Sequence, residues 1–239
     1  MLRARKMLGD SGMVDHHADH GFVSSSPVMN YMELYPFINR LWYGEGFDYD
    51  TNSADYWLCE IAAFETGVSQ DLLRYTTMRH AHGMTRYHYR GMLTASSFRW
   101  SGSGVFSPTA LWELWDTFGI ENSTMVGWWE EDEQGGPKAV PVHASNPSFK
   151  VTSYVKKGVA TMIVLADFSD QGGDYNSSVS LANIDWAALG LSAATAKLTA
   201  PSLPPFQERA GPSTVEFEPN HVFDVTATQG GLLLLLAAS

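Results

Sequence analysis

The sequence predicts an α/β part followed by an all-β part. Residues 1–139 read as a partial (β/α)8 TIM barrel, its C-terminal half, and residues 140–239 as an antiparallel β-sandwich. Three observations predict this. Before residue 140 short apolar runs alternate with helix-like segments, the order that a parallel sheet with crossover helices requires. After it, short β runs follow one another between Gly, Pro, Asn and Ser, the texture of an antiparallel sandwich. The first part holds about four strand–helix units, whereas a closed eight-stranded barrel takes roughly 250 residues. A small open sheet is the other arrangement four units allow. The polar, helix-like opening with no starting strand favours a barrel whose first half lies outside this chain.

Element by element, residues 12–15 read as the end of a strand, and Ser26-Pro27 opens a helix to about Tyr35, with Pro in the first turn. Phe37 to Tyr43 is the next strand. Ser53 caps a helix from Ala54 to about Ala63. Gly91 to Ser96 is a third strand candidate. Ser107-Pro108 starts a strong helix through Phe118, closed by Gly119. Thr124 to Trp129 is a fourth strand, followed by the acidic, Gly-rich loop Glu130 to Gly136. In the second part the β candidates are 149–155, 160–165, 177–181, 195–198, 215–217, 221–225 and 231–236, interrupted by a short helix at Asp185 to Gly190.

Composition narrows the function. A chain of 239 residues with 44% hydrophobic content can bury a sizeable core. A formal charge of −11, with only 15 Lys and Arg, argues against nucleic acid, whose phosphates demand clustered cations. Cys59 is the single cysteine, so no disulfide forms within the chain. The first dozen residues hold no apolar signal-peptide core, and Leu232 to Leu236 is too short to span a bilayer. A soluble protein without a membrane partner is expected, with compartment and oligomeric state left open.

The most informative stretch is Leu41 to Asp50. A β run ends in Gly44 and Gly46, which bracket Glu45, and Asp48 and Asp50 follow among Trp42, Tyr43, Phe47 and Tyr49. Glycine permits a sharp turn and a close ligand approach. Rings stack on the C–H faces of sugars while carboxylates take their hydroxyls, so carbohydrate is the expected partner. Barrel enzymes assemble their sites at the C-terminal ends of strands. Asp15 and Glu45 are read at two such ends, as paired carboxylates able to divide acid and base work. Alternatively, Glu45 is a loop acid that hydrogen-bonds backbone amides. His16, His17, Trp42, Tyr43, Asp48 and Trp128 are the candidate substrate-binding residues. Asp48 and Asp50 read equally as turn formers or oxygen ligands of a calcium type. Trp112 and Trp115 share a helical stripe with Leu111 and Phe118 and belong in the core, as does Trp57.

Several segments resemble glycoside hydrolase family 123: Gly12 to His16, Tyr31 to Glu33, Pro36 to Asp50, Asp55 to Glu60, Tyr89 to Met92, Leu111 to Ile120 and Met125 to Trp129. In the second part Ile184 to Leu191, Ala200-Pro201 and Phe206-Gln207 fit too. The likeness touches most of residues 12–236 through scattered short pieces, with Trp42 to Tyr49 the most specific. It implies an amylase-type (β/α)8 barrel followed by an all-β domain, hydrolysis or binding of a glycan, and no cofactor. It also implies an adjacent Asp-Glu pair at a barrel strand end, working with the N-acetyl group of the substrate as nucleophile. Here Asp132-Glu133 is the only such pair, and it sits in a Gly-rich loop, so the catalytic role is not carried onto it.

Three functions follow as expectations. The first is a glycosidase-like O-glycosyl hydrolase, part of a longer enzyme, with Glu45 as acid or transition-state hydrogen-bonder and Asp15 and His16 lining the pocket. The second is a non-catalytic carbohydrate-binding or structural remnant. The third is a metal-dependent hydrolase built on Asp15, His16, His17, Asp19 and His20, with His80 and His82 as possible completing ligands. The Gly-rich remainder of a metallo-β-lactamase signature is missing, and the expected site holds no metal.

Overall fold

The computed structural model describes residues 2–9, 11–17, 33, 36–43, 52–60, 69–72, 88–98, 109–131, 133, 138–169, 176–204, 207, 215–218, 222–226 and 230–239. For residues 2, 4, 16–17, 41–43, 59–60, 69–72, 97–98, 176, 215–217 and 226 the description covers the backbone alone. The expected helix at 26–35 lies outside these residues.

The first sheet is wholly parallel. It contains β1 (Asp15–His17), β2 (Arg40–Tyr43), β3 (Ser69–Leu72) and β4 (Ser97–Phe98), hydrogen-bonded in that order. A short helix α1 (Leu2–Leu8) is fastened to its near end. Arg5 donates to the Gly12 carbonyl at 2.6 Å and to Asn39 Oδ1 at 2.9 Å, and the same Asn39 oxygen accepts from Val14 N at 2.8 Å. Helix α2 (Ala54–Glu60) follows β2, its first turn capped by Ser53, whose hydroxyl accepts from Tyr56 N at 3.2 Å. Among the described residues these four strands do not close a barrel.

Helix α3 (Thr109–Phe118) ends where expected. Gly119 adopts φ 68°, a left-handed conformation that costs a glycine nothing, and its N–H bonds back to Trp115 and Asp116. Beyond it every strand pairing among the described residues is antiparallel. One sheet runs β11 (Val215–Phe217), β10 (Ala196–Ala200), β13 (Gly231–Ala238), β8 (Ala160–Asp167), β7 (Phe149–Lys156), β5 (Thr124–Val126). The other runs β12 (Val222–Thr226), β9 (Asn176–Leu181), β6 (Val142–Ala144). Helix α4 (Trp186–Leu189) lies within the expected 185–190 helix and is capped at both ends: Asp185 accepts from Ala188 N at 2.9 Å, and Gly190 takes φ 67°.

Why β8 and β13 lack a polar alternation is clear from the core. Ile163, Leu165, Leu232, Leu234 and Leu236 pack against Val179, Leu181, Phe223 and Val225 of the smaller sheet. The residues between them, Met162, Val164, Ala166 and Leu233, face a second cluster with Trp57 of α2, Tyr89, Met92, Leu93, and Leu111 and Phe118 of α3. The larger sheet is therefore covered on both faces, and a strand buried on both sides reads as one apolar run. Val14 and Ile38, which lead into β1 and β2, join this second cluster and tie the parallel sheet to it.

Three readings of the first part change. Gly91 to Ser96 is not a strand. Residues 88–92 form a helical turn that closes through Ala95 at φ 55°, with Ser96 N bonded to the Gly91 carbonyl at 3.1 Å, and β4 comes just after. Its apolar run is buried because the turn docks on the large sheet: Thr152 Oγ1 donates to the Leu93 carbonyl at 2.8 Å and the Tyr154 hydroxyl to that of Met92. The expected fourth strand is shorter, and β5 pairs antiparallel with β7 instead of extending the parallel sheet. Ser69–Leu72, with one apolar residue in four, gives no β signal in sequence yet is the third parallel strand.

Candidate functional site

The C-terminal ends of the parallel strands are His17, Tyr43, Leu72 and Phe98. Glu45 follows Tyr43, the last residue of β2, by two positions in sequence. Glu45 and Asp48 themselves lie outside the described residues, as do His80 and His82. His16, His17, Trp42 and Tyr43 are known by backbone position. Register sets His17 beside Trp42, Trp42 beside Asp71 and Asp71 beside Ser97, one row short of the end of β2. The sheet thus brings His17 and Trp42 to adjacent positions and adds Asp71, which sequence reasoning missed because its strand is polar.

Asp15 is not at a C-terminal strand end, and the expectation is corrected here. It opens β1, directly opposite Arg40, which opens β2. The Arg40 guanidinium meets the Asp15 carboxylate at 2.5 Å, with both side chains about one-third exposed, 35% and 36%. The pair straps the N-terminal edge of the sheet, the edge that in barrels carries stability and not chemistry. Among the described residues no group of three or more His, Cys, Asp and Glu stands close enough to hold a metal ion.

The two parts of the chain meet at Ser53, which precedes α2. Ser53, Ala54 and Asp55 line a hollow of about 290 Å³ with Pro147, Ser148, Lys150 and Phe168. Phe168 packs edge-on to Trp57 of α2, ring centres 6.0 Å apart. A second hollow of about 270 Å³ shares Pro147 and Lys150 and is lined further by Trp128, Glu131, His143 and Asn146. Trp128 therefore lines a cavity of the antiparallel part. Its ring meets that of Trp129 edge-on at 6.0 Å, and the Lys150 ammonium lies 5.0 Å from its centre, a cation–π contact. The turn that presents both rings needs Gly127, since a Cβ there would run into the Trp129 indole. Glu133, in the acidic loop, is exposed on a turn.

A parallel sheet followed by antiparallel sheets defines a two-part protein, α/β and then all-β. Family models agree with that class. The model of the glycoside hydrolase 123 TIM-barrel domain matches residues 1–97, and that of the glycoside hydrolase 123 C-terminal domain matches residues 107–236. The chain belongs to the glycoside hydrolase 123 family. No curated protein matches it. The family makes it a glycoside hydrolase-like protein with a carbohydrate substrate. Among the described residues no helix is long and apolar enough to cross a membrane.

Proposed function

We propose that the protein binds a glycan at the C-terminal ends of its parallel strands and cleaves a glycosidic bond there, with Glu45 as the general acid or the hydrogen-bonder of the transition state. The observation that carries this reading is the position of Glu45 just beyond β2 in a family whose first domain is a TIM barrel. His16, His17, Trp42, Tyr43 and Asp48 line the sugar site in this reading, and Asp71 joins them through its register with Trp42. Asp15 is given the strut's role with Arg40 and no part in the chemistry. The parallel strands are the second half of a barrel, and the antiparallel sheets are a β-sandwich. The division between the two parts falls near residue 140, with α3 and β5 as the segment that joins them.

The test is cleavage of aryl glycosides by the chain, alone and together with any upstream strand–helix units its gene encodes. Glu45→Gln is expected to lower kcat/KM by about 10² or more, the scale of a general acid's contribution. Parental rates in that variant assign Glu45 to the scaffold. A second reading, a carbohydrate-binding protein without catalysis, is favoured by one observation: Glu133, half of the only adjacent Asp-Glu pair, is exposed on a turn of the acidic loop and belongs to no parallel strand end. Glycan binding without turnover in every preparation selects that reading.

A further inference from the structure

We propose that the hollow bounded by Trp128, Glu131, His143, Asn146 and Lys150 is a second saccharide subsite, taking one neutral pyranose unit of a glycan. The proposal rests on the reading that the protein handles glycans, and it deepens that reading by adding a site in the antiparallel part. Size comes first. At about 270 Å³ the hollow stands at the small end of ligand pockets, room for one sugar ring and not for a folded oligosaccharide or a protein segment.

Its chemistry is that of sugar recognition. One wall is an indole; around it stand an ammonium and an imidazole as donors and a carboxylate as acceptor, enough to address a ring that carries hydroxyls on its rim and C–H bonds on its face. The Lys150 ammonium now rests over Trp128. A pyranose entering beside it exchanges that contact for hydrogen bonds to hydroxyls and lays its C–H face on the indole. A neutral sugar suits the site better than an anionic one. Glu131 lines the same hollow as the lysine, and the −11 formal charge of the chain repels polyanions.

The walls are also held in advance of any ligand. His143 and Lys150 stand on strands β6 and β7. The turn that contains Trp128 is closed by Glu130 N bonded to the Gly127 carbonyl at 2.9 Å and by Gly127 N bonded to the Glu130 carboxylate at 3.2 Å, and Lys138 N holds the Glu130 carbonyl at 2.9 Å. The Asn146 loop is pinned by Ser148 N to Asn146 Oδ1 at 2.9 Å and by Asn146 N to Ser177 Oγ at 3.2 Å. Preformed walls lower the ordering cost of binding. Pro147 and Lys150 also line the hollow at Ser53, so the two hollows adjoin.

The experiment is an NMR titration of the whole chain with methyl β-D-glucopyranoside and methyl β-D-galactopyranoside, following the Trp128 indole N–H, assigned by its loss in Trp128→Phe. The expected result is a saturable shift of that resonance by at least one sugar. His143→Ala, at an exposed side chain whose loss leaves the fold intact, is expected to weaken it roughly fivefold, the loss of about one hydrogen bond. Glu45→Gln is expected to leave the titration unchanged while lowering aryl-glycoside cleavage. No shift with either sugar, or parental affinity in His143→Ala, overturns the subsite even if Glu45→Gln abolishes cleavage. A Trp128 titration that persists while Glu45→Gln cleaves normally upholds the subsite and removes the catalytic reading.

Discussion

The Tyr89 hydroxyl donates to Gln207 Oε1 at 2.9 Å across 118 residues of chain, and both groups are buried. The Gln207 oxygen also accepts from Leu233 N at 2.7 Å, and its amide nitrogen donates to the carbonyls of Leu233 at 3.0 Å and Pro201 at 2.7 Å. One side chain thereby joins the 88–96 segment, the 201–207 loop and β13. The two residues lie in two of the segments through which the sequence resembles its family, and their pairing gives a physical reason for both.

Replacing Gln207 with leucine keeps the volume and removes every partner. The Leu233 N–H and the Leu233 and Pro201 carbonyls then lose this partner in the core, and each group left unsatisfied there costs about 1–3 kcal/mol. Gln207→Leu is expected to lower the unfolding free energy by about 3 kcal/mol, and Tyr89→Phe by about 1 kcal/mol, because Gln207 keeps its bonds to β13 in that variant. Denaturant unfolding of the two variants checks the order. Equal losses would show that the amide network contributes nothing beyond the tyrosine bond.

Gly231 is where Tyr89 lies against the sheet. A Cβ at this position would stand 2.5 Å from Tyr89 Cγ and collide with the Leu165 carbonyl. Neither neighbour can yield, since one is backbone and the other is held through its hydroxyl by Gln207. Gly231→Ala is expected to destabilise by about 3 kcal/mol or more, the upper range of overpacking. An unchanged thermal midpoint would contradict this close approach.

Local chemistry made much of the fold legible in the sequence. Ser53 and Gly119 each signal a helix end through a single side chain or its absence, and each acts as read. The β runs of the second part are long and apolar enough to announce themselves. What stayed hidden depends on distant partners. The 91–96 run is apolar because it is buried under the large sheet, not because it is extended, and periodicity does not separate those causes over six residues. Thr124–Val126 reads as a strand, but its choice of β7 over the parallel sheet is decided by contacts beyond its own sequence. In the site, Trp42 and Trp128 were visible as rings. Asp71 was concealed in a strand without β-branched or aromatic residues, and Asp15 was displaced by the strand boundary that puts it at the near end of β1.

Asp15→Asn tests that displacement. An ion pair with one-third of each side chain exposed contributes little, on the order of 0.2–1 kcal/mol. The variant is expected to lose no more stability than that and to retain its kcat/KM on aryl glycosides within about twofold. A fall of 10² or more in kcat with an unchanged unfolding midpoint would return Asp15 to the chemistry. The comparison with Glu45→Gln then separates the two carboxylates, which sequence reasoning had treated as a pair.

Tyr154 supplies a pH dependence whose sign can be worked out. Its side chain is buried on β7 beneath the 88–96 segment, with the hydroxyl bonded to the Met92 carbonyl. Burial pushes the phenol well above the ordinary tyrosine range, and a backbone hydrogen bond at Ala95 opposes this in part. The native state therefore keeps this proton where the unfolded chain gives it up. Below pH about 10, the unfolded value, both states are protonated and the contribution is fully present. As pH rises from there toward the native value, the unfolded state gains by ionising, and stability falls by up to about 1.4 kcal/mol per pH unit. Tyr154→Phe is expected to cost about 1 kcal/mol at neutral pH through the lost bond to Met92, and to show a shallower decline above pH 10 than the parent. Denaturant unfolding of both proteins at neutral and alkaline pH reads the difference. Parallel declines would mean that Tyr154 ionises in the folded protein as readily as in the unfolded one, and that the docking of residues 88–96 on the large sheet is looser than its geometry implies.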